Sequence, residues 1–324
     1  MIITRAPFRI SFAGGGSDLK SFYEKNGYGA VISTTINKYM YIMLHPYFQD
    51  KIRIKYSKLE DVDSINEIQH PIVRECLRLV KIDKGIEIAS IADVPAGTGI
   101  GSSSTFAVSL LHALYSYKKI FVTKEKLAKE SCEIEIDVMK EPIGKQDQYA
   151  ASYGGLNYIR FNSDGSVFVE PLILKNETRS NFKKNLLMFY VGNERKASSI
   201  LKKQNTNMKN EDKFEMVKKM VKLTDELKIA LLNGKIKRFG EVLHEGWLLK
   251  RNLSGNITTP IIDEHYENAL KAGALGGKIL GAGGGGFFLF YCEPKYQNNL
   301  KKALKLRELN FEFDFEGSKI LYFN

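Results

Sequence analysis

Cysteine is scarce: Cys76, Cys132 and Cys292 are the only three in 324 residues, and they lie far apart. No two share the spacing of a metal-ligand pair, and an odd, sparse set makes no disulfide framework. A reducing compartment is the expectation. Long apolar runs are missing too, so no segment approaches the roughly 20 residues of a membrane span. The opening MIITRAPFRISFAGGG puts no apolar core behind a basic start, which argues against a secretory signal. His45, His70, His112, His244 and His265 fall at no metal-ligating interval. Fixed-period repeats and low-complexity linkers are absent as well. These absences leave a cytoplasmic globular protein, with no membrane partner, of a length that suits one large domain or two ordinary ones.

Positive charge is what the chain has in excess. Lys and Arg number 48 against 37 Asp and Glu, a net charge of +11. Such a field attracts anions such as phosphates, or it reflects only a lysine-rich, solvated surface. Nucleic acid fits less well. The lysines of KNETRSNFKKN and LKKQNTNMKNEDKFEMVKKM are scattered among acidic residues, with no aromatic-rich recognition motif beside a basic stripe. An apolar fraction of 44% is enough for a sizeable core.

Residues 1–56 read mainly as strands and turns, from ITRAPFRISFAG through KYMYIMLHPY to KIRIKYS. HPIVRECLRLVK carries Ile72, Val73, Cys76, Leu77 and Val80 on one helical stripe. KGIEIASIADVP reads as a strand, TFAVSLLHALYSYKK as an apolar helix, and TKEKLAKESCEIEIDVMK as a helix with Thr123 as N-cap. Asp164-Gly165 predicts a hairpin turn. Charged helices follow from about 197 to 249. GALGGKILGAGGGGFFLFYCE then reads as strand, glycine turn, strand, KKALKLREL as a last helix, and FEFDFEGSKILYF as closing strands. The fold class predicted is α+β in two packed halves, 1–160 and 161–324.

Three glycine-rich loops interrupt this pattern: FAGGGSD (12–18), PAGTGIGSSST (95–105) and LGAGGGGFF (280–288). A single such loop is ordinary turn chemistry. The Walker pattern is not met, because Gly-Lys at 144–145, 234–235 and 277–278 is followed by Gln146, Ile236 and Ile279. The dinucleotide fingerprint is not met either: Gly97 and Gly99 fit, but Ser102 stands at the third glycine position. The HRD and DFG signatures of protein kinases are absent. What remains is physical. A loop between strand and helix brings backbone N–H groups toward an anion, and the helix N-terminus adds its positive end. Ser102, Ser103 and Ser104 are candidates to cap that helix, and a serine hydroxyl also suits Mg²⁺.

Taken together the loops resemble the three motifs of the GHMP kinases, in order and spacing, over nearly the full chain. PAGTGIGSSST resembles the family's Pro-x-x-x-Gly-Leu/Ile-Gly-Ser-Ser signature, RAPFRISFAGGGSD its first motif, and KILGAGGGGFF its third. The resemblance implies an N-terminal half like ribosomal protein S5 domain 2, an α+β C-terminal half, and a site in the cleft between them. It implies ATP and Mg²⁺ as cofactors. Pro95, Gly97, Thr98, Gly99, Gly101, Ser102, Ser103 and Ser104 would wrap the nucleotide, with Ser103 and Glu135 on the metal, Glu133 and Asp137 being alternatives one turn away. Asp147, in Gly144-Lys145-Gln146-Asp147-Gln148, matches the candidate base, and Arg9 the basic residue of the first motif, able to hold Asp147 and offset phosphoryl charge. Asp18 matches a position that holds a sugar hydroxyl, beside Gly15, Gly16 and Ser17. Gly14-Gly15-Gly16 replaces the Gly-Glu-His of galactokinases.

RAPFRISFAGGGSD, STTINKYMYI, EPIGKQDQYAASYGG and HEGWLLKRNLSGNIT most resemble the D-glycero-D-manno-heptose 7-phosphate kinases within the family. That implies a sugar phosphate partner and a place in GDP-heptose and capsule or lipopolysaccharide synthesis. A phosphorylated sugar needs further cations, and Arg195, Lys196, Lys250, Arg251 and Lys278 are candidates, with Gly283 and Gly284 in the third loop. A kinase for an unphosphorylated sugar such as fucose is the alternative. An inactive sensor on the same fold and an RNA-binding protein are the remote ones. Trp247 and His112 read as packing residues. Nothing in the sequence marks an adenine pocket or an oligomeric state.

Overall fold

β1 (Ile2–Ala13) and β2 (Tyr28–Pro46) are the frame on which the rest is built. They pair antiparallel from Ile2↔Leu44 to Ala13↔Ile32. β-Branched and aromatic residues fill both, as a pleated, packed surface favours. Between them lies α1 (Lys20–Asn26), which ends at Gly27 with φ 88°. The sequence reading ran strands and turns through this segment; α1 is too short to show a helical period and buries only Phe22 and Tyr23. The computed structural model describes residues 1–192, 197–255 and 257–324.

After β2 come β3 (Ile52–Lys55), β4 (Leu59–Val62), α2 (Pro71–Val80) and β5 (Ile86–Ala92). The buried face of α2 is the predicted stripe, Ile72, Val73, Cys76, Leu77 and Val80. α3 (Ser102–Tyr117) is apolar on all sides, and it is buried on nearly all of them. It packs on β1 and β2 and is flanked by α2, α4 (Lys124–Cys132) and α5 (Gln146–Tyr153). Thr123 Oγ1 caps α4 by accepting from Lys126 N at 3.2 Å. The continuous helix expected after Thr123 instead loosens into a π-helical turn over Glu133–Val138.

β6 (Leu156–Asn162) and β7 (Val167–Pro171) form the expected hairpin, with Gly165 at φ 85°. α6 (Asn176–Lys184) leads to β8 (Leu186–Gly192), then to α7 (Ala197–Asn207), α8 (Glu211–Leu232), α9 (Ile236–Arg251) and α10 (Pro260–Lys271). β9 (Ala274–Ile279) and β10 (Gly286–Cys292) flank the third glycine loop. α11 (Pro294–Leu304), β11 (Arg307–Glu308), β12 (Phe313–Asp314) and β13 (Lys319–Phe323) complete the chain. The last helix stops sooner than predicted, because Lys305 turns left-handed at φ 52° and Arg307–Glu308 pairs with β8.

Two sheets result, in an α+β arrangement. The first has nine strands, ordered β13-β1-β2-β5-β3-β4, with β6, β7 and β12 joining through β2. Its pairs are antiparallel except β3 with β5. The second is antiparallel, ordered β11-β8-β10-β9. One apolar core runs through both. Phe12 of β1, Phe182 of α6 and Phe239 of α9 meet edge-on at 4.6–5.6 Å between centroids, and Phe239 reaches Tyr291 of β10 at 5.9 Å, so the cluster links the two sheets. Trp247 is fully buried, as expected of a packing residue. Among the described residues no helix is long and apolar enough to cross a membrane.

Candidate active site

Arg9 emerges from β1 where the strand is covered on both faces, and it is only 4% exposed. Its Nε and Nη2 donate to the two carboxylate oxygens of Asp147, each at 2.7 Å. Its Nη1 donates to Gly99 O at 2.6 Å. One side chain therefore holds both Asp147 and the second glycine loop, and a bidentate fork fixes direction as well as position. Asp147 lies in the first turn of α5, partly open to the cleft. Gln146 supports it through Nε2 at 3.2 Å, while Gln146 Oε1 accepts from Ser11 Oγ at 2.7 Å.

Asp18 is buried beside this pair. Its Oδ1 accepts from Gly16 N at 3.1 Å and its Oδ2 from Gln146 N at 3.3 Å, at the positive end of α5. Burial pushes its carboxyl above the usual value, and the neighbouring charge of Asp147 adds to the effect. A Cβ at Gly144 would collide with the Asp18 carboxylate, which is why GKQDQ opens on glycine. Ser17 turns away from the cleft: its Oγ donates to Ala30 O at 2.9 Å and accepts from Ala30 N at 3.0 Å, pinning the first loop to β2.

The second loop reaches the cleft through Pro95, Gly97, Gly99, Gly101 and the three serines. Thr98 does not; it is buried and donates to Pro95 O at 3.0 Å. Gly101, left-handed at φ 81°, is the N-cap of α3, and no side chain caps the helix. The expected serine cap is thus absent: the helix begins at Ser102, and its first turn lines the cleft. Ser102 Oγ is buried with no hydrogen-bond partner. Ser103 Oγ donates to Glu135 Oε1 at 2.7 Å, and Gln148 Nε2 donates to Glu135 Oε2 at 2.6 Å.

Glu135 is 1% exposed, whereas Glu133 and Asp137 are exposed. The π turn explains the choice. Its wider winding buries Ile134 and Glu135 in succession and aims the carboxylate back at Ser103. Burial raises the Glu135 carboxyl, against the opposing hydrogen bonds of Ser103, Ser104 and Gln148. No group of three or more His, Cys, Asp or Glu side chains that could cage a metal exists among the described residues. Ser103 and Glu135 nonetheless fit Mg²⁺, which takes one or two protein oxygens and completes its shell with phosphates and water.

The third loop closes against the second. A Cβ at Gly99 would stand 2.6 Å from Leu280 O, and one at Gly286 would strike Thr98 O. Gly281, Gly283 and Gly285 line the cleft, but Gly284 is drawn back by its N–H to Ile257 O at 2.8 Å. Of the further cations, Lys250 lines the cleft with 5% exposure, and its Nζ donates to Ile279 O at 3.3 Å and to Gly281 O. Burial lowers it to about 7, Arg9 helping and Asp18 opposing. Lys278 lies behind the wall, donating to Phe12 O at 3.2 Å, and burial beside Lys250 and Arg9 depresses it strongly. Arg251 points elsewhere, 3.9 Å from Asp263. Arg195 and Lys196 lie outside the described residues. Among those described, Arg9 and Lys250 are the only Lys or Arg lining the cleft.

The cleft measures about 1190 Å³. Asp18, Gly15, Gly16, Asp147 and Lys250 are part of its polar lining. Met40, Tyr56, Ile72, Val94 and Phe106 give it an apolar part, and His70 stacks on Phe106 at 4.8 Å. No sequence motif marks these apolar residues, because they come one or two at a time from separate elements.

The sequence profiles of the GHMP kinases N terminal domain and the GHMP kinases C terminal domain match residues 70–155 and 227–308. The chain belongs to the GHMP kinase family. Kinases of this family phosphorylate hydroxyl groups with ATP as donor, and the chain is such a kinase. It is 28% identical to D-glycero-alpha-D-manno-heptose 7-phosphate kinase of Campylobacter jejuni, over 98% of each chain. It is 27% identical to the bifunctional fucokinase/GDP-fucose pyrophosphorylase of Arabidopsis thaliana, over 95% of this chain and 31% of that one. Its fold superposes on a D-glycero-D-manno-heptose 1-phosphate kinase from Bacteroides thetaiotaomicron with a TM-score of 0.81, 24% identity and complete coverage of both chains. A putative sugar kinase from Campylobacter jejuni gives 0.74 at 27% identity, covering 98% of this chain and 97% of that one.

Proposed function

We propose that this kinase transfers the γ-phosphoryl group of ATP to the anomeric hydroxyl of D-glycero-D-manno-heptose 7-phosphate. The observation that carries this reading is the forked Arg9–Asp147 pair, set between a nucleotide-type loop and the buried Asp18. The second loop and the N-terminus of α3 hold the donor's phosphates, with the orphaned Ser102 Oγ supplying a further hydrogen bond. The apolar lining around Phe106 takes the adenine. Ser103 and Glu135 hold Mg²⁺, which when bound neutralises phosphate charge as a Lewis acid.

Asp147 orients the acceptor hydroxyl and takes its proton as the oxygen attacks phosphorus. Arg9 keeps that carboxylate aimed and sets a permanent cation beside the charge that develops in transfer. Asp18 orients the sugar, and Lys250 offers its ammonium to the acceptor's phosphate. The identity with the Campylobacter enzyme over the whole chain supports the choice of acceptor.

A kinase for an unphosphorylated sugar such as fucose is the second reading, favoured by the fucokinase relative and by a described cleft with only two lining cations. The test is ADP release across a panel of hexoses, fucose, heptoses and their 7-phosphates. The highest kcat/KM is expected with the heptose 7-phosphate. A clear preference for an unphosphorylated sugar would replace that acceptor and leave the kinase standing.

A further inference from the structure

Ile200 and Gln204 of α7 and Met208 just past its end fall at helical spacing, two apolar residues with a polar one between them. Ile200 and Met208 are 2% and 3% exposed and belong to the core, as a stripe at i, i+4 and i+8 should. Gln204 is as well covered, at 4%. An amide there brings two donors and a carbonyl oxygen out of bulk water. The side chain of Gln204 makes no hydrogen bond among the described residues, yet the residue lines the cleft together with Leu201. Its amide atoms are not fully shut off from the cleft, whereas a purely core position would be better served by leucine or methionine.

The neighbours of Gln204 place it on the acceptor side. Asn205 Oδ1 accepts from Ser21 Oγ at 2.5 Å, tying α7 to the helix that begins just after Asp18. Asn207 Nδ2 donates to Leu253 O at 2.7 Å, tying it to the turn that follows Lys250. Gln204 thus sits on a helix tied to the segment that presents Asp18 and to the segment that presents Lys250, and all three residues line one cleft.

We propose that Gln204 is a specificity-determining residue that hydrogen-bonds a hydroxyl of the sugar acceptor. This rests on the reading of the acceptor as a sugar. A hydroxyl both donates and accepts, and so does a carboxamide, whereas a phosphate would be better met by Lys or Arg. An acceptor without that hydroxyl leaves the amide buried and unpaired, which is the arrangement that discriminates most strongly between related substrates.

The experiment compares the wild type with Gln204→Met, close in shape but apolar, and Gln204→Glu, which keeps the acceptor and loses the donors. Steady-state constants are measured with D-glycero-D-manno-heptose 7-phosphate, with fucose, and with monodeoxy versions of whichever is turned over, alongside KM for ATP and Tm. Gln204→Met should lower kcat/KM for the sugar by about ten- to a hundredfold. KM for ATP should stay within about twofold, and Tm should hold or rise as the stripe becomes wholly apolar. The wild type should reject one monodeoxy sugar, and Gln204→Met should accept it almost as well as the parent sugar. Gln204→Glu should lie between the two. Unchanged sugar kinetics in a folded Gln204→Met, or an equal loss toward ATP and sugar together with a lowered Tm, would overturn the role of Gln204 while leaving the kinase intact. A wild type that phosphorylates no sugar at all would overturn both.

Discussion

At the scale of single residues, the site is organised by one cation and the carboxylate it grips. Asp147→Asn keeps the shape of the side chain and removes the proton acceptor. It should lower kcat by about 10²–10⁴-fold, the usual worth of a positioned general base, while KM for ATP changes little. Rapid-quench or ADP-release kinetics on a variant with an unchanged circular dichroism spectrum checks this; near-normal turnover would remove Asp147 from the proposed chemistry. Lys250 gives a pH prediction. In the free protein it titrates near 7, facing Arg9, Lys278 and Asp18. KM for a phosphorylated acceptor should therefore rise as pH climbs from about 7 toward 9, where the ammonium is lost. Lys250→Met should show a raised KM that no longer follows pH in that window. Stability should run the other way. The unfolded chain binds a proton on Lys250 that the fold resists between about 7 and the ordinary 10.5, so this residue's penalty grows as pH falls through that window. That Arg9, Asp18, Ser103 and Asp147 share one cleft was legible in the sequence, because each sits in a glycine-rich or family-like motif. Lys250 was one candidate among several cations, and only burial separates it from Arg251. Gln204 had no signal at all, since a glutamine in a charged helix looks like any solvated residue.

At the scale of elements, the π turn after α4 is what selects Glu135 from three nearby acids. Glu135→Gln should raise the Mg²⁺ concentration needed for half-maximal rate by about ten- to a hundredfold, the usual cost of losing a metal-site partner. Glu133→Gln and Asp137→Asn should leave it unchanged. Mg²⁺ titrations of the three variants would show this, and equal effects at all three would contradict the assignment. The turn was invisible beforehand because TKEKLAKESCEIEIDVMK has the composition of an uninterrupted helix, and what accompanies the wider winding is tertiary: contact with α2 and the hydrogen bond from Gln148 of α5 to Glu135. The start of α3 was misread for a related reason. Serines before an apolar helix suggest a cap, but Gly101 takes the left-handed capping position, and Ser103 Oγ bonds Glu135 instead. The strands and most helices were legible because their periods are clean. α1 and the shortened α11 were not, because one is very short and the other is ended by a left-handed Lys305 that composition does not announce.

At the scale of the molecule, the cleft depends on two sheets that share the main apolar core. The closing strands matter to this as much as the opening ones: β13 pairs with β1, and β12 pairs with β2, so the chain's last segment returns to the first sheet. That return was not legible, since pairing between residues some three hundred positions apart leaves no local mark. The aromatic cluster of Phe12, Phe182 and Phe239 joins the sheets far from any reacting atom. Phe239→Ala should cost about 3–5 kcal/mol in urea unfolding, as for other fully buried phenylalanines. It should also raise KM for both substrates, because the walls that meet at Gly99 and Leu280 would no longer be held in register. Loss of stability with unchanged kinetics would show that the cleft does not need this clamp. The central claim is phosphoryl transfer to an anomeric hydroxyl, and ³¹P–¹H NMR of the product tests it most directly. With ATP, Mg²⁺ and D-glycero-D-manno-heptose 7-phosphate, a second phosphorus signal should appear, coupled to the proton on carbon 1. Transfer to any other carbon, or ATP turnover with no phosphorylated sugar formed, would contradict the account.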